Sequence, residues 1–302
     1  MSKVLAYLRL TRPANIITAL ADIFAGFAIS GLVFYPFELK HLELMNWSIL
    51  GQLLVSTACL YGGGIVFNDF FDRKLDAIER PERPIPSKNA SAVGAATLGT
   101  ILLLAGIFFS FNVSLFSGII AIAISMASIL YDAISKHHIW LGPFNMGLCR
   151  ALNLLLGVSA LPEALGAYSY MAIIPLLYIF AITLISKGEV TGGNKKAIAI
   201  SAFFYGLVTL GILIAIVYGP GKFSYSSLAI LLMFVIIIYR PLLKAYKIPE
   251  ARNIRTAVKT GVISLIIMDA CIGAAFAGGT YGLLTILLLP ISIGLAKIFS
   301  VT

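Results

Sequence analysis

Residues 51–88 read GQLLVSTACLYGGGIVFNDFFDRKLDAIERPERPIPSK, and the change of character at Asn68 decides how the chain is read. Up to Phe67 the stretch is apolar enough to continue a membrane helix begun near residue 46; beyond it the stretch is crowded with charge. The whole chain has thirteen Asp and Glu, and five of them, Asp69, Asp72, Asp76, Glu79 and Glu82, fall in this one segment. Asp69, Asp72 and Asp76 stand at i, i+3 and i+7, which places three carboxylates on one face of a helix. Like charges stacked in that way repel, so the arrangement calls for a cation among them. A hard divalent cation suits oxygen ligands, and Mg²⁺ in particular uses one or two carboxylates together with substrate phosphates. Arg73, Lys74, Arg80, Arg83 and Lys88 can take the remaining phosphate oxygens, Arg as a fork and Lys as a point charge. A diphosphate bridged by Mg²⁺ satisfies both signs at once. The plain alternative is a solvated loop, since its five acids are matched by five bases. Pro81, Pro84 and Pro86 then forbid a continuous helix and are expected to hold residues 79–88 extended, as a lid or clamp at the membrane surface.

Composition sets the surroundings. Of 302 residues 60% are hydrophobic and only 12% charged, with a mean hydropathy of +0.98, against roughly 25% charged residues in soluble chains. That leaves too little polar surface to face water. The net charge of +9 sits in short loops between apolar runs, which the positive-inside rule explains, so no nucleic-acid partner is expected. Cys59, Cys149 and Cys271 lie inside apolar runs without metal-ligand spacing and read as small buried residues. The first apolar run starts beyond Arg12-Pro13 and lacks a convincing cleavage site, so it is not read as a signal peptide.

About 20 apolar residues span the hydrocarbon core. By that ruler the expected spans are 14–36, 46–70, 91–111, 114–135, 142–162, 166–187, 197–219, 226–244, 253–277 and 279–299. The last two are parted only by the Gly-rich residues 278–282, so nine and ten spans are both compatible with the sequence. Loop charge alternates along the chain: Lys3, Arg9 and Arg12; then Lys40 with Glu38 and Glu43; then the Arg73–Lys88 group; then a turn near Asn112 without bases. Lys136, a loop with only Glu163, the trio Lys187, Lys195 and Lys196, a loop with only Lys222, and finally the group from Arg240 to Lys259 continue the pattern. The expected location is a bacterial-type inner or plasma membrane, with the N-terminus and the Asn68–Lys88 segment cytoplasmic.

The pairing of NDFFDRKLD with ERPERPIPSK resembles the UbiA superfamily of intramembrane prenyltransferases, whose first aspartate-rich motif has the form NDxxDxxxD followed by an RP-x-RP loop. Arg12-Pro13-Ala14-Asn15 resembles the family's R-P-x-N opening of its first helix. Tyr131 and Lys136 fall where the family has a Tyr and a basic residue at the end of the fourth helix. Residues 145–153, NMGLCRALN, are similar to the EboC-like branch. The resemblance implies one domain over 1–302, an all-α bundle of about nine transmembrane helices around a central cavity. It implies Mg²⁺-dependent transfer of a prenyl group from a polyprenyl diphosphate to a small-molecule or lipid acceptor, in contact with membrane lipids. Asn68, Asp69, Asp72 and Asp76 would then hold Mg²⁺ and the diphosphate, the three aspartates acting catalytically, with Arg73, Arg80, Arg83, Lys88, Tyr131 and Lys136 binding substrate.

One part of the family pattern is altered. The second motif, DxxxD ahead of a Gly near the end of the sixth helix, corresponds here to Ile185 through Gly193. With Gly193 matched to the family glycine, the resemblance implies that Glu189 takes the place of the second carboxylate as a metal ligand and catalytic group and Ile185 that of the first, and Lys187 would then bind diphosphate directly in place of a metal. This departure supports a rival reading, a UbiA-like carrier of an isoprenoid or other amphiphile without chemistry. A secondary transporter would show inverted repeats with paired broken helices, and none is evident. Asp22 and Asp269 are expensive within spans and should face the bundle interior, with Arg150 as partner to one of them. Gly62-Gly63-Gly64 permits close helix approach.

Overall fold

The computed structural model describes residues 3–33, 37–40, 45–190, 192–219 and 223–299. The far end of the first expected span and the loop charges Glu43 and Lys222 lie outside them. Fourteen α-helices follow in order, with no strand among the described residues: α1 (Lys3–Leu10), α2 (Pro13–Ile29), α3 (Trp47–Glu79), α4 (Ala92–Phe111), α5 (Leu115–Ala133), α6 (Leu141–Val158), α7 (Pro162–Tyr168), α8 (Ile173–Ser186), α9 (Lys195–Tyr218), α10 (Tyr225–Lys247), α11 (Ala251–Ile263), α12 (Leu265–Ala277), α13 (Gly279–Ile286) and α14 (Leu288–Ile298). Nine helical stretches among them are long and apolar enough to cross a membrane, and a tenth arises if the bent pair α1–α2 is counted as one span. Three of the nine are jointed: α7–α8 through the 3₁₀ turn Ser169–Ala172, α11–α12 at Ser264 and α13–α14 at Leu287.

Helices adjacent in sequence pack side by side, α3 on α4, α5 on α6, α8 on α9 and α9 on α10, and α12 returns to α2 and closes the ring. α12 is buried along its whole length, as befits a helix apolar all round. The outer surface carries Ile101, Leu104, Phe108, Met126, Phe203 and Ile236, each more than half exposed, because lipid rather than water meets that face. This is an integral membrane protein.

Small residues set the closest approaches. Gly63 meets Gly99 and Leu103 of α4, in keeping with the triple-glycine reading. At the α2–α6 crossing a Cβ on Gly157 would lie 2.8 Å from the Ile23 carbonyl oxygen and 2.9 Å from Gly26 Cα. Backbone cannot yield as a side chain does, so Gly157→Ala should cost about 1–3 kcal/mol, read as a lowered unfolding midpoint in detergent. That crossing also seats the buried charges. Arg150 Nε lies 3.0 Å from Asp22 Oδ2, and Asn153 donates to the same carboxylate at 2.8 Å. Asp269 on α12 is fully buried, with Asp22 and Arg150 as its charged neighbours.

Candidate active site

The 33 residues of α3 make a rod roughly 50 Å long, at about 1.5 Å per residue. A hydrocarbon core takes only about 30 Å of that, so the helix runs on without a break through Asp69, Asp72 and Asp76. The expected shared face exists, but it is divided by helical geometry. Asp69 and Asp76, seven residues apart, point almost the same way, while Asp72 is turned by about 60°. Arg83 serves the first two: its Nη1 lies 2.7 Å from Asp76 Oδ2 and 3.4 Å from Asp69 Oδ1. Asp72 instead pairs with Lys136, which follows α5.

Arg83 reaches that position because the proline segment is folded. It forms turns, not the extended strand expected from its composition: Arg83 N–H bonds to Arg80 O, and Lys88 N–H to Ile85 O. In both, proline occupies the second position, where its fixed φ favours a β-turn. The first turn buries Arg83 to 7% exposure and leaves Arg80 outside. Lys88 ends the second turn with φ +60°, exposed and in no ion pair among the described residues.

A second guanidinium comes from the other end of the chain. Arg12 has φ +44°, left-handed geometry that is uncommon for an arginine. It stands at the 42° bend between α1 and α2, with Pro13 opening α2, and its Nη2 lies 2.5 Å from Asp69 Oδ1. Across α3, Asn68 donates to Asp132 of α5 at 2.7 Å. Lys136 is in electrostatic range of that carboxylate as well as of Asp72, and Tyr131 lies near both acids. Arg12 and Asp132 were not singled out as site residues from the sequence. The R-P-x-N opening and the Tyr131-Asp132 pair were the available signals, and each needed a tertiary contact to acquire a role.

Other expected site residues lie elsewhere. Arg73 folds back on its own helix, donating to Phe70 O at 2.7 Å and covering the Phe70 ring. Lys187 donates to the carbonyls of His138 and Ile139 at 3.3 and 3.0 Å. Ile185 is buried at 2% exposure. Glu189 has Arg255 and Arg80 as charged neighbours, not the α3 carboxylates. Its loop is fixed against the α10–α11 corner by Gly193 N–H bonding to Pro249 O at 2.8 Å. Burial pushes the Glu189 carboxyl above its ordinary pKa, and the two arginines pull the other way without overcoming it. An acid raised in the fold favours folding most while neutral, and that contribution is lost as pH rises through the raised value. Glu189→Gln should therefore gain unfolding temperature relative to the parent as pH is raised across roughly 4–7, measured by paired thermal melts.

Carboxylates and cations gathered at one end of an apolar helical bundle define a membrane protein with a dense charged site beside an apolar interior. The description "UbiA prenyltransferase family" matches residues 24–259. A digeranylgeranylglyceryl phosphate synthase of Sulfurisphaera tokodaii is 29% identical over 283 residues, 88% of this chain and 97% of that protein. A solved structure concerned with digeranylgeranylglyceryl phosphate synthase in membranes superposes with a TM-score of 0.67 at 22% identity, over 92% of this chain and 99% of that one. A UbiA homologue of Archaeoglobus fulgidus bound to GPP and Mg²⁺ gives a TM-score of 0.60 at 15% identity, over 84% and 99%. The chain belongs to the UbiA prenyltransferase family. It is a membrane-embedded prenyltransferase.

Proposed function

We propose that this chain, acting as one transmembrane domain, transfers a prenyl group from a polyprenyl diphosphate to a lipid acceptor with a glycerol phosphate headgroup. The carboxylate end of the bundle lies at the cytoplasmic face, as loop charge favours. The observation that carries this reading is the α3–α5 network, Asn68 on Asp132 and Asp72 on Lys136, set beside the two arginines that hold Asp69. The acceptor class is supported by the printed activity of the relatives similar over most of the chain.

The donor chemistry fits Mg²⁺. Asn68, Asp72 and Asp132 offer hard oxygens in one network, with Asp69 and Asp76 adjoining. Among the described residues no three His, Cys, Asp or Glu side chains form a closed metal cage, and Mg²⁺ needs none when substrate phosphates complete its shell. When bound there, the metal supplies Lewis-acid stabilisation of the leaving diphosphate. Lys136 and Arg83 already sit among the acids and can follow diphosphate oxygens as charge builds on them. The apolar interior keeps water from the allylic carbon while the acceptor attacks.

The test supplies membranes containing the protein with labelled prenyl diphosphates and glycerol phosphate lipids, with and without Mg²⁺. Prenylated lipid that appears with Mg²⁺ and disappears on chelation is the expected result. Binding of the diphosphate without turnover, for every acceptor offered, would replace this reading with the carrier, for which the isoleucine at 185 is the specific argument.

A further inference from the structure

We propose that the corner between α10 and α11 is a separate binding site for a phosphate-bearing lipid headgroup. A cavity of about 380 Å³ opens there. Its polar wall is Lys244 from α10 with Arg252, Asn253 and Thr256 from α11, and its apolar floor is Pro241 and Ile248. The cations come from two helices that converge on the cavity. Arg240 and Lys244 follow one face of α10 at i and i+4; Arg252, Thr256 and Lys259 follow one face of α11 at i, i+4 and i+7. Between residues 240 and 259 there are six bases and one acid, Glu250, which also lines the cavity. Among the described residues none of Arg240, Lys244, Arg252 and Lys259 is in an ion pair.

Such a surplus of exposed, unpaired positive charge around a concave site selects an anion. One acid against at least two cations excludes a metal ion. Asn253 spends one amide N–H on Ile248 O, at 2.9 Å, and retains the other for a ligand oxygen. The surroundings select a lipid over a soluble anion. Leu243 and Tyr246, 53% and 45% exposed, flank the basic residues at the end of a long apolar helix, where interfacial aromatic and basic side chains gather at headgroup level. Acyl chains can lie along α10 while the phosphate sits between Lys244 and Arg252. Two chemically equivalent sources exist, a bulk anionic membrane lipid and the phosphate-bearing acceptor itself. The site stands whether or not the proposed reaction does, since it rests on the α10–α11 corner alone.

The experiment measures the unfolding midpoint of the full-length protein in uncharged detergent, titrated with phosphatidylglycerol, diacylglycerol or soluble glycerol phosphate. Phosphatidylglycerol should raise the midpoint saturably and diacylglycerol should not. Lys244→Gln and Arg252→Gln should each weaken the apparent affinity at least about tenfold, since each removes a charge-assisted hydrogen bond to the phosphate. Lys244→Arg should keep it, and unliganded midpoints close to the parent's would show that the variants fold. A response to glycerol phosphate as well would identify headgroup recognition sufficient for either source; a response to lipid alone would tie the site to tailed ligands. Transfer assays then separate the sources: a raised acceptor KM in Arg252→Gln, with the diphosphate KM unchanged, marks the acceptor, and unchanged kinetics mark a membrane lipid. Equal shifts with diacylglycerol and phosphatidylglycerol, or undiminished phosphatidylglycerol affinity in both Gln variants, would overturn the proposal.

Discussion

Asp72→Asn should lower prenyl transfer by about 10²–10³-fold, the usual effect of removing one preorganised electrostatic group, while leaving the protein folded. Asp72 is the α3 carboxylate best suited to this test. Its side chain keeps 21% exposure and its partner Lys136 11%, so removing its charge leaves Lys136 able to reach solvent or Asp132. Asparagine preserves size and one oxygen but not the negative charge that a divalent cation needs. Asp69→Asn makes the contrast, because it strips charge from a buried group on which Arg12 and Arg83 both converge, and it should lower stability as well as rate. The assay is initial rate of labelled product at saturating Mg²⁺, with melting curves in parallel. Full activity of Asp72→Asn would remove this residue from the chemistry.

Arg150→Met should destabilise the fold by about 3–5 kcal/mol, the range for breaking a buried ion pair by deleting one partner. The substitution conserves approximate bulk, so packing loss is secondary. What remains is Asp22 at 0% exposure beside Asp269 at 0%, without the guanidinium that lies between α2 and α6. Arg150 also donates to the Thr18 carbonyl at 2.8 Å, and that acceptor would be orphaned too. Adding Asp22→Asn to Arg150→Met should recover most of the loss, since a neutral amide replaces the uncompensated charge and Asn153 and Thr57 can still complete the network. Thermal unfolding in one detergent compares the three proteins, and additivity of the two changes would contradict the pairing.

Much of this architecture was legible from the order of residues. Apolar length gave the spans, and the i, i+3, i+7 spacing placed three acids on a helix that does continue through them. The expense of charge in lipid singled out Asp22, Arg150 and Asp269 before any contact was known. What stayed hidden depends on three-dimensional reach. Arg80 and Arg83 stand in near-identical Arg-Pro contexts, and only the first proline turn decides that Arg83 is buried between two carboxylates while Arg80 stays outside near Glu189. The same turn chemistry defeated the extended reading, because proline fixes φ but leaves open whether the next residues fold back. Arg12 acts on a carboxylate 57 residues away, so neither its partner nor its left-handed backbone could be read locally. The joint at Ser264 has no proline within a turn of it, and uniform hydropathy masks it, whereas the joint at Leu287 falls where Pro290 cannot bond back to Ile286 O.

The length of α3 has an evolutionary consequence. One uninterrupted rod bears the acidic groups at its exposed end, while its opening turn at Trp47 lies about a membrane thickness away. The apolar residues at one end and the charged residues at the other are thus spaced along a single ruler, too far apart to touch. Lineages can therefore drift at the apolar end of that ruler without re-evolving the charge pattern at the other.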